Sequence, residues 1–153
     1  MAWLREENAV QIIVDADACP VRKIIVNVAK KYHIVVVMIS DTAHYLRDGY
    51  SRIVTVDKGA DSVDFALMGT LKAGDVVVTQ DYGLAAMALG KGAKVINQNG
   101  MVYTNGNIDW LLMERHEAGK VRRSGGRTKG ASKRNAEDDE RFEAALIGLL
   151  EVC

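Results

Sequence analysis

Apolar and polar positions change rhythm several times along this chain, and each change predicts an element. The run VQIIV at 10–14 predicts a buried strand that ends at Asp15. Pro20 stands where the first turn of a helix is expected, and Val21, Ile24, Ile25 and Val28 give that helix its apolar face. The continuous apolar, largely β-branched run IVVVMI at 34–39 predicts a central parallel strand, buried on both faces. Residues 40–51 are polar and read as loop or a short helix. A short strand is expected at 53–56. Val63, Ala66, Leu67 and Thr70 fall on one face of a helix over 61–71, and Gly74-Asp75 marks a turn. A buried strand follows at 76–79. Leu84, Met87 and Ala88 mark a helix ending near 90–92, and 94–97 is read as the last parallel strand.

Towards the C-terminus, Asn107 is expected to cap a helix running through Trp110, Leu111 and Glu114. Asn135 is expected to cap a final helix over about 136–150. Glu137, Asp138, Asp139 and Glu140 crowd its positive end, and Phe142, Leu146 and Leu149 form its apolar stripe. Strand and helix alternate throughout. That order predicts a single α/β domain over 1–153, a three-layer sandwich with a mainly parallel central sheet joined by right-handed crossovers.

Composition narrows the class. A chain of 153 residues, 48% hydrophobic and 26% charged, is long enough for one buried core. No apolar run approaches the roughly 18–20 residues that a membrane helix needs, so no membrane partner is expected. The first residues lack the basic-then-apolar pattern of a secretory signal. Cys19 and Cys153 suggest neither a disulfide framework nor a zinc site, and a reducing cytoplasm is the simplest compartment. The composition leaves the oligomeric state open.

Charge is uneven. Net charge is zero, yet 119–135 holds seven cations and no acid: Lys120, Arg122, Arg123, Arg127, Lys129, Lys133 and Arg134. The remaining chain therefore carries a balance of seven negative charges. A basic, Gly-rich segment on an acidic body suits a polyanion held against bound cations. Arg123, Arg127 and Lys129 are the expected grips on a nucleic-acid phosphate backbone.

The acids supply the candidate chemistry. In open α/β sheets, sites form beyond the carboxyl ends of the strands. Asp15 and Asp17 follow the first strand, Asp81 follows the strand at 76–79, and Asp61 and Asp64 open a helix three residues apart. Carboxylates gathered together resist ionising, and a divalent cation relieves their repulsion. Oxygen ligands favour Mg²⁺ or Mn²⁺, which acidify a bound water and neutralise a phosphodiester. Taken singly, the same acids have a plainer role as helix caps and turn acceptors. Ser40 after the second strand either meets a substrate phosphate or closes a turn. Cys19 and Tyr82 are read as packed side chains. His33, His44 and His116 are scattered and are not read as ligands.

The segments VDADACP at 14–20, GADSVDFAL at 59–67 and DVVVTQDYGLA at 75–85 resemble those of the YaiI/YqxD family of uncharacterised bacterial proteins. KGAKVI at 91–96, YTNGNI at 103–108 and GGRTKG at 125–130 extend the resemblance across nearly the whole chain. Two positions depart from it: Gly83 and Ala131 stand where proline is expected. The family in turn resembles the PIN-like nuclease fold, whose members use clustered acids to hold Mg²⁺ or Mn²⁺. The resemblance implies Asp15 as the first-strand acid, Asp61 or Asp64 as the helix acid, Asp81 as the later acid, and Thr79 as the small hydroxyl residue ahead of it. It implies a metal-dependent nuclease in which Asp15, Asp17 and Asp81 are catalytic, with RNA ranked ahead of DNA. The alternatives are a non-catalytic nucleic-acid or nucleotide binder and a haloacid-dehalogenase-like phosphatase. The phosphatase reading rests on Asp15-x-Asp17 and Ser40, and it is weakened because Gly74-Asp75 precedes a strand where that class needs it after one.

Overall fold

A computed structural model describes residues 9–41, 46–59, 61–126 and 133–151. Six strands and five helices follow one another as β1 (Gln11–Asp15), α1 (Arg22–Tyr32), β2 (Val35–Ser40), β3 (Arg52–Thr55), α2 (Ser62–Thr70), β4 (Val76–Val78), α3 (Tyr82–Gly90), β5 (Lys94–Ile96), β6 (Val102–Tyr103), α4 (Asn105–Arg123) and α5 (Ala136–Glu151). The strands form one sheet in the order β3-β2-β1-β4-β5-β6. All neighbours are parallel except β5 and β6. The expected three-layer α/β sandwich is therefore the architecture found.

Strand parity sorts the core into two halves. Ile12, Val14, Val76, Val78 and Ile96 face a layer built by α1 and α5. Ile13, Val37, Ile39, Val77 and Val95 face the layer of α2, α3 and α4. Coverage on both faces explains why the central strands read as unbroken apolar runs. β1 lies at the centre of the sheet, with β2 and β4 on either side. The carboxyl ends of these three strands lie together, and the chain reverses direction there.

Several boundaries differ from the sequence reading. α1 begins at Arg22, so Pro20 precedes the helix and sets its entry. β6 was not foreseen, being a two-residue antiparallel return after the last parallel strand. α4 starts earlier than Asn107, because Thr104 is its N-cap and Asn107 closes a reciprocal capping box from the third helical position. The same helix continues to Arg123, so the first five residues of the expected basic connection are helical. Gly125, at φ +85, then turns the chain out of the helix. Met87 is exposed, and α3 packs through Leu84, Ala85 and Ala88 instead. α5 buries Phe142, Leu146 and Leu150, leaving Leu149 half-buried. Asn135 does cap α5: its Oδ1 accepts the Asp138 N–H at 3.0 Å, and Asp138 returns a carboxylate oxygen to the Asn135 N–H at 2.9 Å. Among the described residues no helix is long and apolar enough to cross a membrane.

Candidate functional site

The register that pairs Val14 with Val78 carries the next residue of β1, Asp15, to the side of Thr79. Parity keeps both on the α2–α3 side, the face of Ile13 and Val77. The Thr79 hydroxyl donates to Asp15 Oδ2 at 2.9 Å. The Thr79 hydroxyl oxygen in turn accepts the backbone N–H of Asp81 at 3.0 Å. Asp81 is the N-cap of α3, with Oδ1 accepting the Leu84 N–H at 3.2 Å. A Cβ at position 83 would stand 3.3 Å from that carboxylate oxygen, so Gly83 leaves Asp81 uncrowded where proline was expected.

Asp64, in the first turn of α2, completes an inner group. Burial pushes the Asp15 carboxyl above its usual range. The Thr79 hydrogen bond opposes that rise, and the charges of Asp64, Asp81 and Asp17 add to it. Asp64 is raised as well, by burial first and then by Asp81 and Asp61. Segments far apart in sequence thus share one negative field at the edge of the sheet.

The other two acids are peripheral. Asp17 meets β2 on the α1 side, where the buried Ser40 hydroxyl donates to Oδ1 and the Asp41 N–H donates to Oδ2 at 3.0 Å. Burial of Asp17 is outweighed by these bonds and by Arg22, so its carboxyl lies below the ordinary range. The loop that carries it is strained: Ala18 sits at φ +58, in a left-handed region that costs a non-glycine residue about 1–2 kcal/mol. The Gln80 side chain donates to the Ala18 carbonyl at 3.3 Å. Asp61 is exposed at the N-cap position of α2, left-handed at φ +70, with no capping bond from its side chain. It lines a shallow surface with Thr55 and Phe65.

Ser40 and Thr79, expected to touch substrate, are buried and orient Asp17 and Asp15 respectively. Arg123 is exposed at the end of α4, about two turns beyond Arg115. Arg127 and Lys129 lie outside the described residues, as do His44, Ala131 and Cys153. Arg134, part of the expected phosphate-tracking stretch, has a structural task. It donates to Asp139 at 2.8 Å, Asn99 at 2.7 Å and the Gln98 carbonyl at 2.8 Å. Cys19 is buried, and burial raises its thiol away from the reactive thiolate. Tyr82 packs edge-on against Tyr103, with centroids 6.0 Å apart.

Two cations at this edge escaped the sequence reading. Arg22 bears on Asp17, and the Arg115 guanidinium lies 5.9 Å from the centroid of the Tyr82 ring, next to Asp81. Arg22 had a faint signal, as the first helical residue after the acidic loop. Arg115 had none, because its approach depends on α4 packing along α3.

Asp75 lies at the opposite end of β4, completely buried. It accepts N–H groups from Gln11 and Lys72. Gln11 opens β1 and Asp15 closes it, so the two carboxylates stand about 13 Å apart along the strand. The Gly74-Asp75 pair therefore contributes nothing to the acidic edge.

Oxygen donors in a partly buried setting suit a hard divalent cation, and the upward shift of both Asp15 and Asp64 among neighbouring carboxylates is the strain such a cation relieves. The carboxylates stand apart: among the described residues, no three His, Cys, Asp or Glu side chains form a ready metal-holding group.

The family model described as "Uncharacterized BCR, YaiI/YqxD family" matches residues 13–152. A UPF0178 protein of Ruminiclostridium cellulolyticum is 62% identical over 137 residues, which is 90% of each chain. One from Clostridium acetobutylicum is 56% identical over 142 residues, covering 92% of this chain and 96% of the relative. A third, from Alkaliphilus oremlandii, is 51% identical over 141 residues, covering 92% and 91%. No solved structure matches the chain significantly.

Proposed function

This chain belongs to the YaiI/YqxD family, and we propose that its acidic sheet edge hydrolyses phosphodiester bonds with a divalent metal, RNA ahead of DNA. The observation that carries the reading is the Asp15–Thr79–Asp81 linkage at the ends of β1 and β4, with Asp64 in the same field. The family's own resemblance to the PIN-like nuclease fold, one step removed from the motifs, favours it by analogy. Asp15, Asp64 and Asp81 stand apart, so they would hold Mg²⁺ or Mn²⁺ partly through bound waters, with Asp17 and Asp61 at the rim. The cation would acidify a water and offset charge on the phosphate.

The chain's own groups have separable tasks. Thr79 fixes the Asp15 carboxylate through a hydroxyl that is itself oriented by the Asp81 N–H. Ser40 and the Asp41 N–H fix Asp17 in its ionised form. Asp81 is held by the first turn of α3. Arg115 and the exposed Arg122 and Arg123 would favour an anionic strand near the acids, whereas Lys120 pairs with Glu117 at 3.6 Å.

The test is cleavage of end-labelled RNA and DNA by the purified chain with Mn²⁺ or Mg²⁺, alongside Asp15→Asn. Cleavage should fall by about 100-fold or more in the variant while its circular dichroism is unchanged, in keeping with the loss of a charge-stabilising group. Full activity in Asp15→Asn would refute the assignment. The phosphatase alternative fares worse, because Asp75 is at the wrong end of β4.

A further inference from the structure

A second feature lies on the other face of the sheet. A cleft of about 330 Å³ opens between α1 and the 46–48 segment. Its walls carry Arg22, Lys23, Lys30 and Arg47 against a single carboxylate, Asp48. Its floor includes Met38 and Leu46, both buried. In a chain of zero net charge this is a concentrated positive pocket, and it lies outside the basic stretch that the sequence singled out.

The helix places these cations in a line. Arg22, Val26 and Lys30 follow at four-residue intervals, with Lys23 and Asn27 beside them, so they share one face of α1. Arg22 to Lys30 spans about 12 Å along the axis. That length covers three to four phosphates at the roughly 3.4 Å spacing of a stacked strand. Asp48 bears on Lys30 and offsets one of the four cations, which leaves the cleft an excess of three positive charges. One of the Asp48 oxygens accepts the backbone N–H groups of Tyr50 at 2.8 Å and Ser51 at 2.6 Å, which binds it into its own turn. Lys30 also lies 5.8 Å from the Tyr50 ring centroid, which steadies its stem at the mouth of the cleft.

Arg22 connects the cleft to the acidic edge. It donates to the Ala16 carbonyl at 3.4 Å, between Asp15 and Asp17, and its charge bears on Asp17. The positive run therefore ends where the acids begin. A neutral or cationic ligand gains nothing from such a run, whereas a chain of phosphates is matched along its length.

We propose that the α1 cleft is the binding track for the phosphate backbone of a nucleic-acid strand, leading it to the acidic edge through Arg22. The inference rests on the nuclease reading only for its direction, since strand binding does not require cleavage.

The test is the salt dependence of binding by the full chain, measured by fluorescence anisotropy with a labelled single-stranded 12-mer RNA in EDTA. Lys23→Gln with Arg47→Gln should lower the slope of log K against log salt by about 1.4, at about 0.7 per lost phosphate contact on a single strand. Lys72→Gln, at the opposite end of the sheet, should leave it unchanged. An unaltered slope in the double variant overturns the track, whether or not the chain cleaves RNA. A lowered slope in a chain that never cleaves upholds the track and sinks the nuclease reading. Equal affinity for poly-glutamate, with the same slope, overturns the assignment to nucleic acid.

Discussion

The Thr79 hydroxyl donates to Asp15 while accepting the Asp81 N–H, so one oxygen sets the relative position of acids 66 positions apart in the chain. Thr79→Val keeps the shape and removes both bonds. It leaves the Asp81 N–H without its acceptor and Asp15 without the hydroxyl that favours its ionised form, at a cost of about 1–3 kcal/mol. The Asp15 carboxyl should rise further and Mn²⁺ affinity should fall, while Thr79→Ser retains both. Calorimetric Mn²⁺ titration and urea unfolding of the two variants check this; equal metal affinity in Thr79→Val would remove the hydroxyl from any part in the site.

Asp15 and Asp64 are both raised, by burial first and then by neighbouring carboxylates, and this has a defined sign in stability. The folded chain holds their protons more tightly than the unfolded chain does. Stability from these groups is therefore full below the unfolded value of 3.8 and is lost as pH rises through the folded values. Asp17 and Asp48 act oppositely. Their burial is outweighed by hydrogen bonds, so they support the fold above 3.8 and release it as pH falls through their depressed values. Asp15→Asn should therefore melt higher than the parent at neutral pH in EDTA, with the gain vanishing on acidification below about pH 4. Adding Mn²⁺ should reverse the order, because only the parent then gains from binding. Thermal melts at several pH values, with and without Mn²⁺, decide it.

The fold was legible because the strands are short apolar runs separated by helical periods, and that pattern alone fixes a parallel, doubly covered sheet. Local choices were less legible. In α3, YGLAAMALG is almost wholly apolar, so no face stands out and the burial of Ala85 over Met87 depends on the packing of α4. In α5, Leu149 and Leu150 lie at seven and eight residues from Phe142, both compatible with one stripe, and the sheet selects Leu150. The acids could be named from sequence, since each follows a strand or opens a helix. Their division into an inner and an outer group could not, because it depends on strand parity: Asp15 and Thr79 share the face of Ile13 and Val77, whereas Ser40 shares that of Met38 and draws Asp17 with it. Parity is readable in each strand, but pairing β1 with β4 across 64 residues is not.

Asp75 supplies a control at the far end of the same strand. Its carboxylate receives the Gln11 N–H at 3.3 Å, the Gln11 amide at 3.0 Å and the Lys72 N–H at 2.9 Å, all within a buried corner. Asp75→Ala strands those donors, at a cost of about 2 kcal/mol or more. It should lower the urea midpoint and leave turnover per folded molecule unchanged. A specific loss of activity without loss of stability would restore Gly74-Asp75 to the chemistry, and with it the phosphatase reading.

Arg134 joins the start of α5 to the turn after β5. Its guanidinium bonds to Asp139, to Asn99 and to the Gln98 carbonyl, and its side chain is only 23% exposed, so solvent competes weakly for these contacts. The turn itself is tightly fitted: Gly100, at φ +90, lies where a Cβ would stand 2.7 Å from the Arg141 carbonyl oxygen. Neither partner can shift far to compensate for a missing fork of donors. Arg134→Lys keeps the charge yet loses the planar geometry, so it should rescue little. Both Arg134→Lys and Arg134→Ala should destabilise the chain by about 1–3 kcal/mol, as expected for charge-assisted bonds. Amide exchange should quicken at 97–101 and in the first turn of α5. RNA affinity and its salt slope should stay at the parent values, since this guanidinium serves the fold. A drop in the slope of about 0.7 would instead place Arg134 on a phosphate.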